Sequence, residues 1–383
     1  RPSSEQTVTS PIVIVGGGFA GLYTALELAR RPGHPPLLLV EPRDRFVFLP
    51  FLYERLSGEL PLWQMAPRYD ALLAGHGIGW QRSRVAAVEP ETAQLLLDSG
   101  QRLSYSQLVL ATGAKPDSFG IPGVEEHALR FHSLEDVESL KAQLPNIRER
   151  VAVVGAGPSG VELACKLADL LRGQASVEVI ERGERCLPHA KAFNRSQAEL
   201  ALQQRDVRLR CQCKVQAIEP GLLKLENEQE QSSTLSVDAV IWTAGQRTAL
   251  PAGSLLTDAR GRLRCHANLQ SECDKRIFSL GDAAAIPHDP ELPATAQVAF
   301  QQAQLLARNL LLARDEQPLE DFKWKDLGEM LSLGIGDATL TGMGLTLAGS
   351  SAYQLRRWTY LTRLPGCRLP LQVAAGWLSA PRQ

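Results

Sequence analysis

Short unbroken apolar runs, each stopping at a glycine turn or an acid, recur along the chain. Ile12-Val13-Ile14-Val15 is one, and a run of that kind predicts a strand buried on both faces of a parallel sheet. It feeds Gly16-Gly17-Gly18-Phe19-Ala20-Gly21, after which Leu22–Ala29 follows a helical pattern and Leu37–Val40 supplies the next strand, ending in Glu41. The same order returns at 151–181. Val151–Val154 leads into Gly155-Ala156-Gly157-Pro158-Ser159-Gly160, then a helix over Val161–Leu171, then Val177–Ile180 ending in Glu181. Tyr105–Gly113 and Val237–Gly245 each run a further apolar strand into a small-residue turn, Ala111-Thr112-Gly113 and Ala244-Gly245. Arg276–Asp282 is a strand that stops at Gly281-Asp282.

A strand, a glycine-rich turn and a helix in that order can seat a dinucleotide. Glycine permits the tight turn and lets backbone approach a pyrophosphate, whose charge sits at the helix N-terminus. An acid about 20 residues further on is placed to bind a ribose diol, and Glu41 (41 − 21 = 20 after Gly21) and Glu181 (181 − 160 = 21 after Gly160) both stand there. Asp282, where a strand stops, can reach a ribityl chain or cap the next helix. The pattern therefore describes an α/β protein of two Rossmann-like dinucleotide-binding domains, one inserted in the other. FAD is expected on residues 8–125 and 255–320, through Gly16, Gly18, Phe19, Ala20, Gly21, Glu41, Ala111, Thr112, Gly113, Gly281 and Asp282. A nicotinamide nucleotide is expected on 126–254, through Gly155, Gly157, Pro158, Gly160, Glu181, Arg182, Ala244 and Gly245. Glu181 favours the free ribose of NADH, whereas Arg182 can accept the 2′-phosphate of NADPH, so either nucleotide remains open.

Composition narrows the class. The 383 residues, 44% hydrophobic and 22% charged, suffice for two to three globular domains at about 100–200 residues each. A net charge of −1 argues against a nucleic-acid binder working through a basic field. Seven cysteines, an odd number in a chain this long, point to a reducing compartment rather than a disulfide scaffold. The seven histidines form no ligand pairing, so no metal is expected. Arg1–Ser10 has no apolar core of a signal peptide, and no stretch is apolar enough to span a bilayer.

These motifs, in the order GGGFAG, ATG, GAGPSG and LGD, resemble the two-dinucleotide-binding-domain flavoproteins of glutathione-reductase-like fold over nearly the whole chain. Within that group, Phe46–Gly58 (FVFLPFLYERLSG), Gly160–Ala164 (GVELA) and Ala296–Gln302 (AQVAFQQ) are similar to type II NAD(P)H:quinone oxidoreductases. Leu345–Pro365 is most similar to the cyanobacterial and plastid branch, which is associated with demethylphylloquinone reduction. The resemblance implies hydride transfer from NAD(P)H to FAD and then reduction of a prenylated quinone, demethylphylloquinone or plastoquinone-like, without proton pumping. It implies that Glu162 positions nicotinamide or delivers a proton; complementing a helix dipole is the alternative use of that carboxylate. It also implies that Gln297 and Gln301, which share a helix face at i, i+4, lie beside the flavin and the quinone. Gln297 then also counts among the FAD contacts, and a solvated polar stripe is the alternative.

Disulfide reductases of this architecture carry a redox cysteine pair. Here Glu41–Asp70 has no cysteine and no CxxC occurs; Cys211 and Cys213 on one strand face stand about 7 Å apart, too far for a bond. A sulfide:quinone reductase built on Cys165 and Cys367, or a flavin-bound NAD(P)H sensor, are the alternative functions. After Asp337 the chain holds five Arg and no Asp, Glu or Lys, interleaved with Tyr353, Trp358, Tyr360 and Trp377. Such a segment suits a C-terminal membrane-associating region, residues 321–383, that lies on anionic lipid; packing on the flavin domain or a homodimer contact is the alternative. The expected location is the cytoplasmic or stromal face of a membrane, thylakoid or plasma membrane of a cyanobacterium.

Overall fold

The computed structural model describes residues 9–366 and 368–379. They form two compact units: 9–46, 66–115 and 247–325 make the first, and 47–65, 116–246 and the described part of 326–379 the second. Residues 47–65 and, as far as they are described, those after 325, assigned above to the flavin half and to a separate C-terminal region, both fall in the second unit. The first segment is tied into that unit both by ion pairs, Glu54 and Glu59 with Arg356 and Lys166, and by the packing of Phe48 and Phe51 on Tyr360.

Among the described residues, each unit is built on a five-stranded parallel sheet. In the first the order is Ile277–Ser279, Gln107–Leu110, Ile12–Val15, Leu37–Val40, Ile78–Gln81. Ile12 pairs in register with Leu37 on one side and Gln107 on the other. Burial on both faces explains why Ile12–Val15 and Leu37–Val40, two of the inner strands, are unbroken Val, Ile and Leu. The helix Phe19–Ala29 packs on Ala296–Arg314, which Thr295 caps by accepting the Val298 N–H.

The second unit repeats the plan: Arg208–Arg210, Ser176–Ile180, Arg150–Val154, Ala239–Trp242, Leu129–Arg130. Its cradle helix spans Pro158–Leu170, starting earlier than the apolar pattern suggested because proline is tolerated at the first helical positions. A three-stranded antiparallel sheet, Glu329–Ser332, Ala338–Gly342 and Leu345–Gly349, carries the chain to the helices Ser350–Leu361 and Arg368–Ser379. The sheet and the first of these helices share a small core of Ala338, Ala352 and Tyr353.

Candidate functional site

In the first unit the glycine turn is shaped by contacts that exclude any side chain. Gly16 has φ +101, and a Cβ there would stand 2.2 Å from the Ala111 carbonyl oxygen. A Cβ on Gly21 would stand 1.7 Å from the Gly16 carbonyl oxygen. Gly18 is the N-cap of Phe19–Ala29, no described side chain caps that helix, and the place of its absent Cβ is open among the described residues. That is the geometry a pyrophosphate needs against backbone N–H groups.

Glu41 is buried at the end of its strand. One carboxylate oxygen accepts the Gly17 N–H at 3.0 Å and the other accepts the Arg43 N–H at 2.9 Å, while the Arg43 guanidinium pairs with it at 2.9 Å. Tyr69 donates to the Gly17 carbonyl at 2.5 Å, and burial raises its phenol above the ordinary tyrosine range. Arg43 and Tyr69 escaped the sequence reading, since neither lies in a glycine motif. Phe19 stacks on Tyr23, with ring centroids 5.4 Å apart, and Gly113 takes φ +70 after Thr112.

The Ala20 Cβ would stand 3.1 Å from a Cβ on Gly281, so the cradle helix and the Gly281-Asp282 turn adjoin. Gly281 donates to the buried Gln302 amide oxygen at 2.7 Å. Asp282 lines a cavity of about 320 Å³ with Asp258, Arg262, Thr295 and Gln302. Burial raises its carboxyl above the usual aspartate range, with Arg262 opposing. Gln297 accepts from the Trp324 indole at 3.1 Å, and Gln301 exchanges two hydrogen bonds with the Lys325 backbone, at 2.8 and 3.0 Å. Gln302, one residue beyond the expected face, is the amide that reaches the Gly281 turn.

The second unit holds a near copy. Gly155 has φ +108, its absent Cβ would stand 3.1 Å from the Ala244 nitrogen, and a Cβ on Gly160 would stand 1.8 Å from the Gly155 carbonyl oxygen. Gly157 is the N-cap, followed by Pro158, again with no described capping side chain. Glu181 accepts the Ala156 N–H at 2.7 Å and the Gly183 N–H at 2.8 Å. The Arg182 guanidinium lies 5.7 Å from the centre of the Phe119 ring. That ring fills the place a Cβ on Gly245 would take. The structure thus gathers Gly155, Gly160 and Ala244 at one turn, and Arg182 with Gly245 around Phe119.

Glu162, buried in the first turns of Pro158–Leu170, accepts the Ser332 N–H at 3.1 Å. Burial pushes its carboxyl up to about 7, against the pull of Arg356 and the Ser332 N–H and with the push of Glu54. Arg356 is 1% exposed. It bonds Glu54, donates to the Pro50 carbonyl at 2.8 Å and stands 3.9 Å from Glu162. One helical turn on, buried Lys166 bonds Glu59, which also accepts from Tyr353. Glu54, Glu59, Lys166 and Arg356 were missed. The available signal was a charge set among apolar neighbours, as Lys166 is in a helix buried from Gly160 to Leu167.

Among the described residues Cys165, Cys186 and Cys265 are buried free thiols. Burial pushes them up to about 12, 11 and 12, far from reactive thiolates. Cys367 and Arg382 lie outside the described residues. Among those described, no His, Cys, Asp and Glu group of metal-binding size occurs, and no helix is long and apolar enough to cross a membrane.

The model of the pyridine nucleotide-disulphide oxidoreductase family matches residues 10–303. The chain is 38% identical to demethylphylloquinone reductase NdbB of Synechocystis sp., over 97% of this chain and 96% of that protein. It is 35% identical to alternative NAD(P)H-ubiquinone oxidoreductase C1 of Arabidopsis thaliana, over 96% and 80%. The NADH complex of NDH2 from Plasmodium falciparum shares its fold, with a TM-score of 0.80 at 18% identity, over 94% of this chain and 96% of that one. The chain belongs to the pyridine nucleotide-disulphide oxidoreductase family and, within it, to the type II NAD(P)H:quinone oxidoreductases.

Proposed function

We propose that this member of the family oxidises NAD(P)H and reduces a prenylated quinone through FAD, with demethylphylloquinone or a plastoquinone-like ring as acceptor. The observation that carries the reading is the duplicated cradle, in which two glycine turns of matching geometry each have an acid fastened to their backbone. FAD suits the first unit: Gly16, Gly18 and Gly21 leave room for a pyrophosphate, Glu41, fastened to the Gly17 N–H, would take the ribose, and Asp282 lines the adjoining cavity. FAD held by these residues would supply hydride acceptance from the nicotinamide and electron delivery to a quinone.

Gly155, Gly157 and Gly160 seat the nicotinamide nucleotide, Glu181 binds its ribose, and Arg182 admits a 2′-phosphate. Both NADH and NADPH are therefore substrates. Burial raises the Glu162 carboxyl to about 7, which suits it to take up and release protons near neutral pH. Gln297 and Gln301 offer neutral amide contacts to flavin or quinone carbonyls.

The C-terminal helices support docking on anionic lipid at a cytoplasmic or stromal membrane face. Leu371 and Leu378 are 72% and 77% exposed, Trp358 stands out beside them, and Arg357, Arg363 and Arg368 carry the charge. A homodimer would use the same apolar face. The deciding experiment is steady-state oxidation of NADH and NADPH by the purified flavoprotein with a short-chain quinone, the flavin spectrum being recorded. Turnover beyond one flavin equivalent is expected, and a colourless, inactive protein would refute the reading.

A further inference from the structure

The buried ionic cluster around Glu162 is out of balance. Arg356 supplies one permanent positive charge, because a guanidinium does not deprotonate in a protein. Two carboxylates face it, Glu54 in direct hydrogen bond and Glu162 at 3.9 Å. One guanidinium cannot neutralise both, and water is little help: Glu54 is fully buried and Glu162 keeps only 11% of its side-chain surface exposed. The second oxygen of Glu54 and the Nε of Arg356 are buried without a hydrogen-bond partner among the described residues, so the cluster is under-satisfied as it stands.

We infer that Arg356, from Ser350–Leu361, and Glu54, from Leu52–Ser57, are opposed positioning residues that together set the charge carried by Glu162. The inference rests on the role given to Glu162 above and adds the residues that govern it. Arg356 favours the carboxylate form of Glu162; Glu54 occupies that guanidinium and repels Glu162, favouring the protonated form. The other groups acting on Glu162 are Lys166 and Cys165 on its own helix, Tyr53 on the Glu54 helix, Tyr360 on the Arg356 helix, and the Ser332 N–H. Tyr53 and Tyr360 are raised by burial and stay neutral, and Cys165 is a thiol at about 12. Lys166 is committed to Glu59. The balance is therefore left to Arg356 and Glu54.

The test reads Glu162 directly. Infrared spectra of the flavin-loaded protein, labelled with 13C-glutamate, are taken across a pH series and differenced against Glu162→Gln, so that the Glu162 carboxyl stretch is isolated. Arg356→Met is expected to move its midpoint up by about one pH unit or more, and Glu54→Gln to move it down by a similar amount. Arg356→Lys is expected to restore most of the wild-type midpoint.

Opposite shifts distinguish electrostatic control from general loosening of the fold, which moves both variants the same way. Equal midpoints in all variants, or shifts of one sign, overturn the inference. If Arg356→Met fails to fold, Glu54→Asp is compared with Glu54→Gln: a midpoint restored by the charged residue upholds the pair, and an equal downward shift in both overturns it. NAD(P)H oxidation is measured in the same samples. Normal titration without turnover refutes the enzymatic reading but leaves the pair, whereas turnover with an unmoved midpoint refutes the pair alone.

Discussion

Gly160 stands to Gly155 as Gly21 stands to Gly16: in each pair the earlier carbonyl oxygen occupies the place of the later residue's Cβ, at 1.8 and 1.7 Å. Neither later residue can be anything but glycine without moving backbone. Gly21→Ala is expected to destabilise the first unit by at least about 1–3 kcal/mol and to cut the flavin-to-protein absorbance ratio severely. Gly160→Ala should keep the flavin and raise KM for both nicotinamide nucleotides at least tenfold. Full flavin content in Gly21→Ala would show that this turn does not hold the cofactor.

Glu162→Gln removes the carboxyl proposed to exchange protons, without removing volume. Turnover should fall by roughly 10²–10⁴-fold with flavin retained, in line with the usual contribution of general acid–base groups. Unaltered turnover would take Glu162 out of the mechanism. The same variant has a stability signature. The folded carboxyl titrates at about 7 and the reference value is 4.5, so its ionisation is resisted in the fold. The associated stability is present below pH 4.5 and is lost as pH rises through 7. Denaturant titrations should therefore show wild type weakening relative to Glu162→Gln over that window, by on the order of 1–3 kcal/mol.

Lys166 is wholly buried and its ammonium bonds Glu59. The pair, with the Tyr353 hydroxyl, holds Glu59 below the usual glutamate range, although burial pushes the other way. Lys166→Met should lower Tm, costing about 1–3 kcal/mol, because Glu59 is left part-buried with only neutral donors. Adding Glu59→Gln should recover part of that loss; a double variant no more stable than Lys166→Met would deny the ionic origin of the effect.

Arg182 is the residue proposed to admit the 2′-phosphate. Its loss in Arg182→Ala should raise KM for NADPH about tenfold or more while leaving KM for NADH within about twofold, since only NADPH carries the phosphate. Equal effects on both would place Arg182 outside nucleotide choice.

Leu371→Glu with Leu378→Glu should abolish co-sedimentation with anionic vesicles and leave turnover on a soluble quinone intact. Binding to neutral vesicles should be weak in wild type and fall with salt in anionic ones, as Arg-driven docking requires. Retained binding in the double variant would move the lipid contact elsewhere.

The parts of the molecule that were legible in the sequence are those whose physics is local. Ile12–Val15 and Val151–Val154 read as buried parallel strands because nothing polar interrupts them, and both are central strands of their sheets. The glycine turns were legible because each spacing is fixed within six residues. What escaped depends on partners far along the chain. Glu54 and Arg356 are 302 positions apart, and neither has a neighbour in sequence that announces the other. For that reason 47–65 was grouped with the first cradle it follows, while its carboxylates belong with the second unit. Gln297 and Gln301 were visible as one helical face, but Trp324 and Lys325, which engage them, lie in an irregular stretch that no periodicity marks.

The burial of Arg356 also decides how the C-terminus can be shortened. A stop placed after Leu364 removes the exposed Leu371 and Leu378 and keeps every group that faces Glu54 from Ser350–Leu361. A stop before Tyr353 strips the interior of its guanidinium and leaves Glu54 and Glu162 facing each other without it. Trimming by a protease or a frameshift at that point would hand the cell's quality-control machinery a damaged fold, so the tail cannot be treated as a detachable tether.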